Sequence, residues 1–390
     1  MSIAKRGAAV MMTNYPPRPL ALVRGEGCWV WDDAGTRYLD LVAGIAVVTL
    51  GHAHPAPARA LAEQAAVLGH VSNLYWSEPA VALAERLCAL SGLQRAFFCN
   101  SGAEANEAAI KLARRHGREV GGAGKHELVS LEGAFHGRTM GALAATWGES
   151  KKAPFEPLPR GFSQVPRNDI AALRAAVGPT TAGVLIEPIQ GEGGVNVIDG
   201  AYLQAARELC DAHGALLILD EVQTGIGRTG SWFAFERSGV RPDVITLAKG
   251  LACGLPIGAV LSRDLVTGFR PGDHGTTYGG SPAIAAGALA TLTAVAEEGL
   301  VENAQQMGAR LATGLQALPG VSEVRGAGLM LGVELVGGDA AGAMLALRER
   351  GILVNAVSET ALRLIPPLVI DDAQVELAVG ALADVLATRA

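Results

Sequence analysis

The stretch 217–230, LILDEVQTGIGRTG, separates two interpretations of the fold. Its second half, Gly225 to Gly230, has the spacing G-x-G-x-x-G of a dinucleotide-binding loop. Such a loop directly follows a strand, opens a helix, and is followed by an acidic residue about 20 positions further on. Here DEVQT separates the strand 215–219 from the first glycine, no clear amphipathic helix follows, and the acidic residue is missing. The pattern therefore disfavours a dinucleotide site and leaves Asp220, at the strand end, to be explained.

The composition predicts a large folded protein. Hydrophobic residues make up 49% of the 390 residues and charged residues 18%, which allows a sizeable core in two domains or in one domain with an appendage. The net charge of −6 argues against a nucleic acid as the main partner. No stretch reads as a membrane span, and the apolar run from Gly7 to Met12 is too brief for a signal peptide.

The cysteines argue against zinc and disulfide sites. There are five of them, an odd number, and no two form a C-x-x-C pair. We therefore expect no metal site, no disulfide framework, and a reducing compartment, which makes a cytoplasmic location the expectation.

Apolar runs and helical stretches alternate along the first part of the chain. Buried strands are predicted at 95–99, 128–131, 183–186, 215–219 and 244–247, and helices at 103–116, 170–177 and 201–213. This alternation is typical of an α/β fold in which helices cover both faces of a mostly parallel sheet.

The pattern changes after Glu298. A long helix at 300–318 and short strands at 321–325 and 329–335 predict a smaller α+β domain, which the N-terminal segment joins. The predicted organisation is an N-terminal segment, 1–50, that contributes to the small domain, a large domain at 51–290, and a C-terminal small domain at 291–390.

Polar residues follow three of the predicted strands. Asp220 follows 215–219, Lys249 comes shortly after 244–247, and Asn100-Ser101-Gly102-Ala103 follows 95–99. Ligands of an open α/β sheet bind at these carboxyl ends. Each feature also has an ordinary explanation, namely a salt bridge between Asp220 and Lys249 and a helix capped by Ser101.

A pyridoxal phosphate site explains the three features together. The pyridine nitrogen of this cofactor needs an anionic partner, its aldehyde needs an amine, and its phosphate needs the free N–H groups of a helix N-terminus. Asp220, Lys249 and the residues 101–103 supply these groups. We therefore interpret this edge of the sheet as a pyridoxal phosphate site.

With these residues in place, the chain resembles the class III, fold-type I pyridoxal-phosphate aminotransferases over nearly its whole length. The motifs that carry the resemblance are RGEG (24–27), YLD (38–40), GH (51–52), SNLY (72–75), FFCNSGAEANEA (97–108), FHGRT (135–139), EPIQGEGG (187–194), DEVQTGIGRTG (220–230), LAKG (247–250), HGTTYGG (274–280) and RLIPP (363–367).

The resemblance implies a fold and a set of cofactor contacts. The family's large domain has a mostly parallel seven-stranded sheet, beside a smaller α+β domain. Lys249 would bind the cofactor covalently and then shuttle a proton, and Asp220 would pair with the pyridinium nitrogen. Phe135 and Val222 would cover the two ring faces. The further cofactor contacts that it implies are Ser101, Gly102, Ala103, Glu221, Gln223 and Thr277.

The resemblance also implies an activity and a substrate site. The activity is transfer of the δ-amino group of N-acetylornithine to 2-oxoglutarate, which becomes glutamate, in arginine synthesis. Arg363 would bind the α-carboxylate of glutamate, Arg138 the distal carboxylate of acetylornithine, and Glu192 would cover Arg363 while the ω-amine reacts. Tyr15 would line the entrance. Thr276 and Thr277 would come from the partner chain, so that a homodimer would share its active sites.

Several alternatives stay open at this point. Arg138 and His136 have structural explanations, and Cys253 has the size of a small filler. The rival substrates within the class are ornithine, succinylornithine, succinyldiaminopimelate and 4-aminobutyrate. An aminomutase that acts on glutamate semialdehyde and a non-catalytic binding protein are the other two classes. The Glu192–Arg363 combination favours an enzyme that alternates between two donors.

Overall fold

The computed structural model describes residues 2–16, 20–266 and 268–388, in which strands and helices alternate. The strands are β1 (Leu22–Glu26), β2 (Trp29–Asp32), β3 (Arg37–Asp40), β4 (Arg95–Cys99), β5 (Glu127–Leu131), β6 (Phe162–Val165), β7 (Thr181–Ile186), β8 (Ile189–Gln190), β9 (Asn196–Val197), β10 (Leu216–Asp220), β11 (Val244–Leu247), β12 (Gly258–Ser262), β13 (Val321–Ala327), β14 (Met330–Leu335), β15 (Ile352–Leu353), β16 (Asn355–Ala356) and β17 (Ala361–Leu364).

The helices are α1 (Ile3–Val10), α2 (Ala43–Ala46), α3 (Pro55–Val67), α4 (Glu78–Ser91), α5 (Gly102–Gly121), α6 (Met140–Ala145), α7 (Glu149–Lys152), α8 (Ile170–Ala176), α9 (Gly200–His213), α10 (Pro282–Glu297), α11 (Leu300–Gln316), α12 (Ala340–Glu349) and α13 (Asp372–Ala387). Among the described residues no single helix is long and apolar enough to cross a membrane; α10 and α11 reach that measure only together, across a bend of 62°.

A seven-stranded sheet in the order β4-β12-β11-β10-β7-β5-β6 forms the larger core. Strand β12 runs antiparallel to both of its neighbours, and the pairs on the other side of β11 are parallel. The predicted α/β fold with a mostly parallel seven-stranded sheet is therefore confirmed. Since β4 and β11 both run opposite to β12, the carboxyl ends of β4, β7, β10 and β11 meet at one edge of the sheet.

The central strands are apolar along their whole length because helices cover both faces of the sheet. Every residue of β7, β10 and β11 is buried. Side chains of β10 alternate between two clusters: Leu217 and Leu219 pack in one, while Leu216 and Ile218 pack with α5 in the other. By the same alternation Asp220 belongs to the α5 side of the sheet.

A second core joins the two ends of the chain. Strands β13, β14, β17 and β16 form an antiparallel sheet, and β15 pairs in parallel with β3 of the N-terminal sheet. Leu39 and Leu41 from the N-terminal segment share one cluster with residues of α11, β14, β17 and α13. This pairing supports the predicted division at 1–50, 51–290 and 291–390, which stays a prediction.

Candidate active site

A cavity of about 410 Å³ lies at the edge where the parallel strands end. Strand pairing explains why distant residues meet there, since Asp220 is opposite Thr246 and Leu219 is opposite Ile186, the residue before Glu187. The predicted site residues that line the cavity are Ser101, Gly102, Ala103, Phe135, Arg138, Glu192, Asp220, Val222, Gln223 and Lys249.

Asp220 is a buried carboxylate held by hydrogen bonds from a side-chain amide, an imidazole and a backbone N–H. Its Oδ2 atom accepts a hydrogen bond of 2.7 Å from Asn106 Nδ2 and lies 2.8 Å from Nδ1 of His136. The N–H of Val222 donates to Oδ1 over 3.1 Å. Because a carboxylate only accepts, the bond assigns the proton of His136 to Nδ1. The carboxylate is thus fixed in place by groups other than Lys249.

Lys249 begins a short 3₁₀ turn after β11 and adopts a left-handed backbone, with φ of 40°. A lysine in this conformation is strained, a feature that concentrates at functional sites. In the described part of the chain its Nζ has no hydrogen bond or ion pair, so the salt bridge to Asp220 is not formed. Burial lowers the pKa of the Lys249 ammonium, which favours a neutral, nucleophilic amine.

The N-terminus of α5 offers free N–H groups to the cavity. Ser101 caps the helix, as predicted, because its Oγ accepts from the N–H of Glu104 over 3.2 Å. The Glu104 carboxylate in turn accepts from the N–H of Asn100 over 2.7 Å. The N–H groups of Gly102 and Ala103 have no acceptor among the described residues and line the cavity. Together with the helix dipole they fit a phosphate group.

Gly102 brings the helix N-terminus close to the segment after β10. A Cβ atom at this position would lie 2.7 Å from Cγ1 of Val222. A larger residue would push apart the phosphate-binding N–H groups and the Val222 side chain, which both line the cavity. The glycine therefore sets the distance between these two parts of the wall.

Glu187 is a second buried carboxyl group in the cavity wall. It accepts a hydrogen bond from the N–H of Phe135 over 2.7 Å and one from the N–H of Gly191 over 3.4 Å. Burial raises the pKa of Glu187 to about 7. Its hydrogen bonds join the segment that carries the Phe135 ring to the segment that carries Glu192.

Glu192 and Arg363 form an ion pair at the cavity. The distance between Arg363 Nη1 and Glu192 Oε1 is 2.5 Å, and Gln223 lies 3.4 Å from each partner through its two amide atoms. Arg363 is 2% exposed, and its Nε atom has no partner in the part of the chain that the structure describes. Although burial alone would raise it, the Arg363 charge holds the pKa of Glu192 below its usual range.

Arg138 is exposed at the mouth of the cavity. Its guanidinium lies 5.7 Å from the centre of the Phe135 ring, close enough for a cation–π contact. It therefore presents a solvent-exposed positive charge to the cavity, whereas Arg363 is buried and paired with Glu192.

The structure corrects the prediction that Glu221 contacts the cofactor. The buried Glu221 carboxylate accepts from the N–H groups of Ala234 (3.0 Å) and Phe235 (2.8 Å) and from the hydroxyl of Thr224. It points away from the cavity because successive side chains of a strand face opposite sides, and Asp220 occupies the cavity side. Burial raises the pKa of Glu221 to about 7.

Besides Glu221, four predicted site residues do not line this cavity, namely Arg363, Thr276, Thr277 and Tyr15. Thr277 is exposed, Tyr15 is 64% exposed, and Thr276 is half-buried with its Oγ1 atom 3.2 Å from Asn100 Nδ2. The roles predicted for Thr276 and Thr277 require a second copy of the chain and stay predictions. The role predicted for Tyr15 also stays a prediction. Residues 2–16, 20–266 and 268–388 contain no group of three His, Cys, Asp or Glu side chains that could hold a metal ion.

Sequence reasoning missed the residues that hold Asp220. His136 was interpreted as structural and Asn106 was given no role, yet both contact the Asp220 carboxylate. Glu187 stands in the motif EPIQGEGG but was given no role of its own. The available signal was the position of Asn106 in the second turn of α5, on the side that faces the sheet.

The cavity fits pyridoxal phosphate on its own geometry. It has an unpaired amine at Lys249, a buried carboxylate at Asp220 and unpaired N–H groups at residues 102 and 103. An anion for the ring nitrogen, an amine for the aldehyde and a helix N-terminus for the phosphate thus converge on one cavity.

Comparisons with known proteins agree with this geometry. Residues 10–386 match the family model described as "Aminotransferase class-III". The chain is 52% identical to acetylornithine aminotransferase of Mycolicibacterium smegmatis, over 100% of this chain and 99% of the relative. It is 50% identical to acetylornithine aminotransferase of Streptomyces coelicolor, over 98% of this chain and 95% of that relative.

Solved structures of the same kind superpose on nearly the whole chain. Ornithine aminotransferase of Toxoplasma gondii ME49 has a TM-score of 0.94 and 34% identity, covering 99% of this chain and 94% of its own. An ω-transaminase of Pseudomonas jessenii, solved in complex with PMP, has a TM-score of 0.93 and 29% identity, covering 100% and 98%. The chain belongs to the class III aminotransferase family.

Proposed function

We propose that this enzyme transfers the δ-amino group of N2-acetyl-L-ornithine to 2-oxoglutarate. The products are N-acetyl-L-glutamate 5-semialdehyde and L-glutamate, and the reaction is a step of arginine synthesis. The observation that carries the proposal is the ion pair between Glu192 and Arg363, together with an exposed Arg138 at the mouth. Relatives named acetylornithine aminotransferase, up to 52% identical along the full chain, support the choice of substrate.

The cofactor is pyridoxal phosphate, which when bound supplies a carbonyl group that exchanges with primary amines and a ring that accepts an electron pair. Lys249 would hold it through Nζ, and the N–H groups of Gly102 and Ala103 would hold its phosphate. The Asp220 carboxylate, fixed by Asn106 and His136, would keep the ring nitrogen protonated.

Lys249 also provides the base. Once the substrate amine has displaced it, its Nζ is free to take a proton from the substrate carbon that bears the amino group. Burial lowers the pKa of this group, which favours the neutral amine that can accept a proton. The same Nζ atom would then give the proton to the carbon that was the cofactor's carbonyl carbon, on the other side of the nitrogen, so that one positioned side chain would serve both transfers.

Two arginines let one cavity accept two donors. Glutamate reacts through its α-amine, which brings its α-carboxylate close to the cofactor, where Arg363 would bind it with two parallel hydrogen bonds. N-acetylornithine reacts through its δ-amine, so its carboxylate lies at the far end, within reach of Arg138. During that half-reaction Glu192 neutralises Arg363, as in the observed ion pair.

The site is proposed to be completed by a second copy of the chain. Leu74, Tyr75, Trp76 and Tyr278 are large and exposed, and Trp76 has 94% of its surface free. Asn73 Nδ2 donates to the carbonyl of Thr276 over 2.9 Å, so this apolar patch is continuous with the segment that carries Thr277. Such a patch is typical of a protein interface, and it supports a homodimer in which Thr276 and Thr277 reach the partner's site. The proposed location, from the cysteine pattern, is the cytoplasm.

The function is tested with single half-reactions. The purified enzyme is mixed with N-acetylornithine alone, and the conversion of the cofactor to its pyridoxamine form is followed by absorption. We expect faster conversion than with ornithine, succinylornithine, succinyldiaminopimelate or 4-aminobutyrate. Comparable or faster conversion with ornithine or 4-aminobutyrate would move the assignment to that substrate, and product formed from glutamate semialdehyde without an acceptor would indicate an aminomutase.

A further inference from the structure

The glycine-rich loop Gly225–Gly230 packs against the C-terminal part of the same chain. A Cβ atom on Gly328, which has φ of +52°, would lie 2.5 Å from the carbonyl carbon of Thr229. One on Gly230 would lie 2.9 Å from Cβ of Gln305. The loop therefore packs backbone against backbone on the turn between β13 and β14, and directly on α11.

Arg228 extends from this loop into the second core. Its Nη1 atom donates to the carbonyl of Leu329 over 3.0 Å and also to the carbonyl of Pro366. The N–H of Leu329 donates in return to the Arg228 carbonyl over 3.0 Å. One guanidinium nitrogen thus joins two C-terminal segments that are 37 residues apart in sequence, as the numbering of its two acceptors shows.

This arrangement is costly for a charged side chain. Arg228 is 2% exposed, its Nη2 atom has no partner, and within the described ranges no carboxylate forms an ion pair with it. Burial lowers the pKa of the guanidinium to about 9. A buried cation without a counterion destabilises the fold, so a gain in stability does not explain Arg228. What needs an explanation is that its guanidinium fixes the relative positions of two C-terminal segments.

Arg363 lies in β17, and Pro366 follows it by three residues, just after the strand ends. The start of the same loop region contacts Arg363 directly, since Gln223 Oε1 accepts from Arg363 Nη1 over 3.4 Å. The segment 223–228 therefore holds the segment 363–366 at both ends, once through Gln223 and once through Arg228. The first contact is at the cavity, and the second lies in the buried interface between the two cores.

We propose that Arg228 is a positioning residue that sets the place of Arg363, and so the affinity of the α-carboxylate site. The inference rests on the proposed role of Arg363 toward glutamate and 2-oxoglutarate. A displaced Arg363 weakens binding of these two dicarboxylates, while the distal carboxylate of N-acetylornithine binds at Arg138 and is little affected. A residue that served stability alone would change both half-reactions together.

The first test is Arg228→Lys, which keeps the charge but cannot reach both carbonyls. We expect KM for glutamate and for 2-oxoglutarate to rise at least about tenfold, the loss expected from a misplaced bidentate contact, with KM for N-acetylornithine nearly unchanged. Arg207→Lys is the matched control, because Arg207 is also largely buried but pairs with Asp211 and Asp243 outside the cavity. Equal changes in both half-reactions, or no change, would overturn the proposal.

The second test uses the wild-type holoenzyme and decides the matter even if the variant does not fold. Glutarate, an unreactive dicarboxylate of the same chain length as 2-oxoglutarate, is added, and amide hydrogen exchange is measured. We expect slower exchange both in the peptide that contains Arg363 and at the Leu329 N–H, which is bonded to the Arg228 carbonyl. Protection at Arg363 without protection at Leu329 would overturn the coupling.

A wrong assignment of the amine substrate would be detected separately from a wrong role of Arg228. If wild-type enzyme does not react with N-acetylornithine, the amine that it does use replaces that donor in the comparison with glutamate. The glutamate half-reaction of Arg228→Lys then still decides the role of Arg228.

Discussion

Replacing Glu192 with glutamine removes the negative charge from the pair that covers Arg363. In the structure one Glu192 oxygen lies 2.5 Å from Arg363 Nη1, and the Gln223 amide lies 3.4 Å from each of these two atoms. Glutamine has nearly the same shape, so the variant changes the charge and leaves the packing intact. In the proposed mechanism the N-acetylornithine half-reaction needs Arg363 covered, whereas the glutamate half-reaction needs it open. We therefore expect Glu192→Gln to slow the first much more than the second.

The size of the effect follows from the pair itself. A hydrogen bond to a charged group contributes about 1.5–3 kcal/mol. The Glu192 side chain is 32% exposed, so water screens the pair and the lower end of that range applies. Because about 1.4 kcal/mol corresponds to a factor of ten, the ratio of the two half-reaction rates should change about tenfold in favour of glutamate.

The assay is stopped-flow absorption of the holoenzyme, mixed separately with N-acetylornithine and with glutamate. Single half-reactions avoid the ambiguity of steady-state rates, in which both substrates contribute. Asn196→Ala, close in sequence to Glu192 and with a side-chain amide that donates to the Gly193 carbonyl, is a control for general disturbance of this loop. Equal slowing of both half-reactions by Glu192→Gln would refute the gate.

Three further changes test other parts of the site. Lys249→Ala should fold normally yet release the cofactor on denaturing gel filtration, because it lacks the amine; wild-type turnover in this variant would reject the lysine assignment. Glu221→Gln should flatten the pH dependence of unfolding. The raised pKa of about 7 means that the folded state binds more protons than the unfolded state between about pH 4.5 and 7, so this carboxyl group lowers stability as pH rises through that window. Thermal unfolding of the wild-type and variant apoenzymes is measured at both ends of the window. A difference in stability between the two proteins that is the same at both pH values would contradict the prediction. Mixed dimers of Lys249→Ala and Thr277→Val chains should have one site with normal cofactor affinity, measured by titration, because only one site carries both changes; two weakened sites would argue against a threonine supplied by the partner.

The chemistry of the strand ends was predictable because it follows from local patterns. Asp220 and Lys249 come after apolar runs that can only be buried strands, and parallel strands end at one edge of a sheet. Ser101 was predictable as a cap because serine before a helical stretch accepts the orphan N–H groups of the first turn. These features need no knowledge of which strands are neighbours.

The partners of these residues were not predictable, because they depend on contacts far apart in sequence. Asn106 and His136 reach Asp220 across 114 and 84 residues. The direction of Glu221 depends on which face of β10 turns to the cavity, and the sequence of an all-apolar strand does not show this. The parallel pairing of β3 with β15 likewise joins the two ends of the chain through only two residues of each strand.

The separation of Asp220 from Lys249 is the feature on which the chemistry depends. Had the two paired, as the simplest reading of the sequence suggests, each charge would neutralise the other and neither would be available to a ligand. The sheet register prevents this, since Asp220 is opposite Thr246 and Lys249 comes three residues later, after the strand has ended. Asn106 and His136 hold the carboxylate, and a strained backbone with φ of 40° presents the amine to the cavity. The site thus keeps the Asp220 carboxylate apart from the unpaired Lys249 amine, so that each group is available to a ligand.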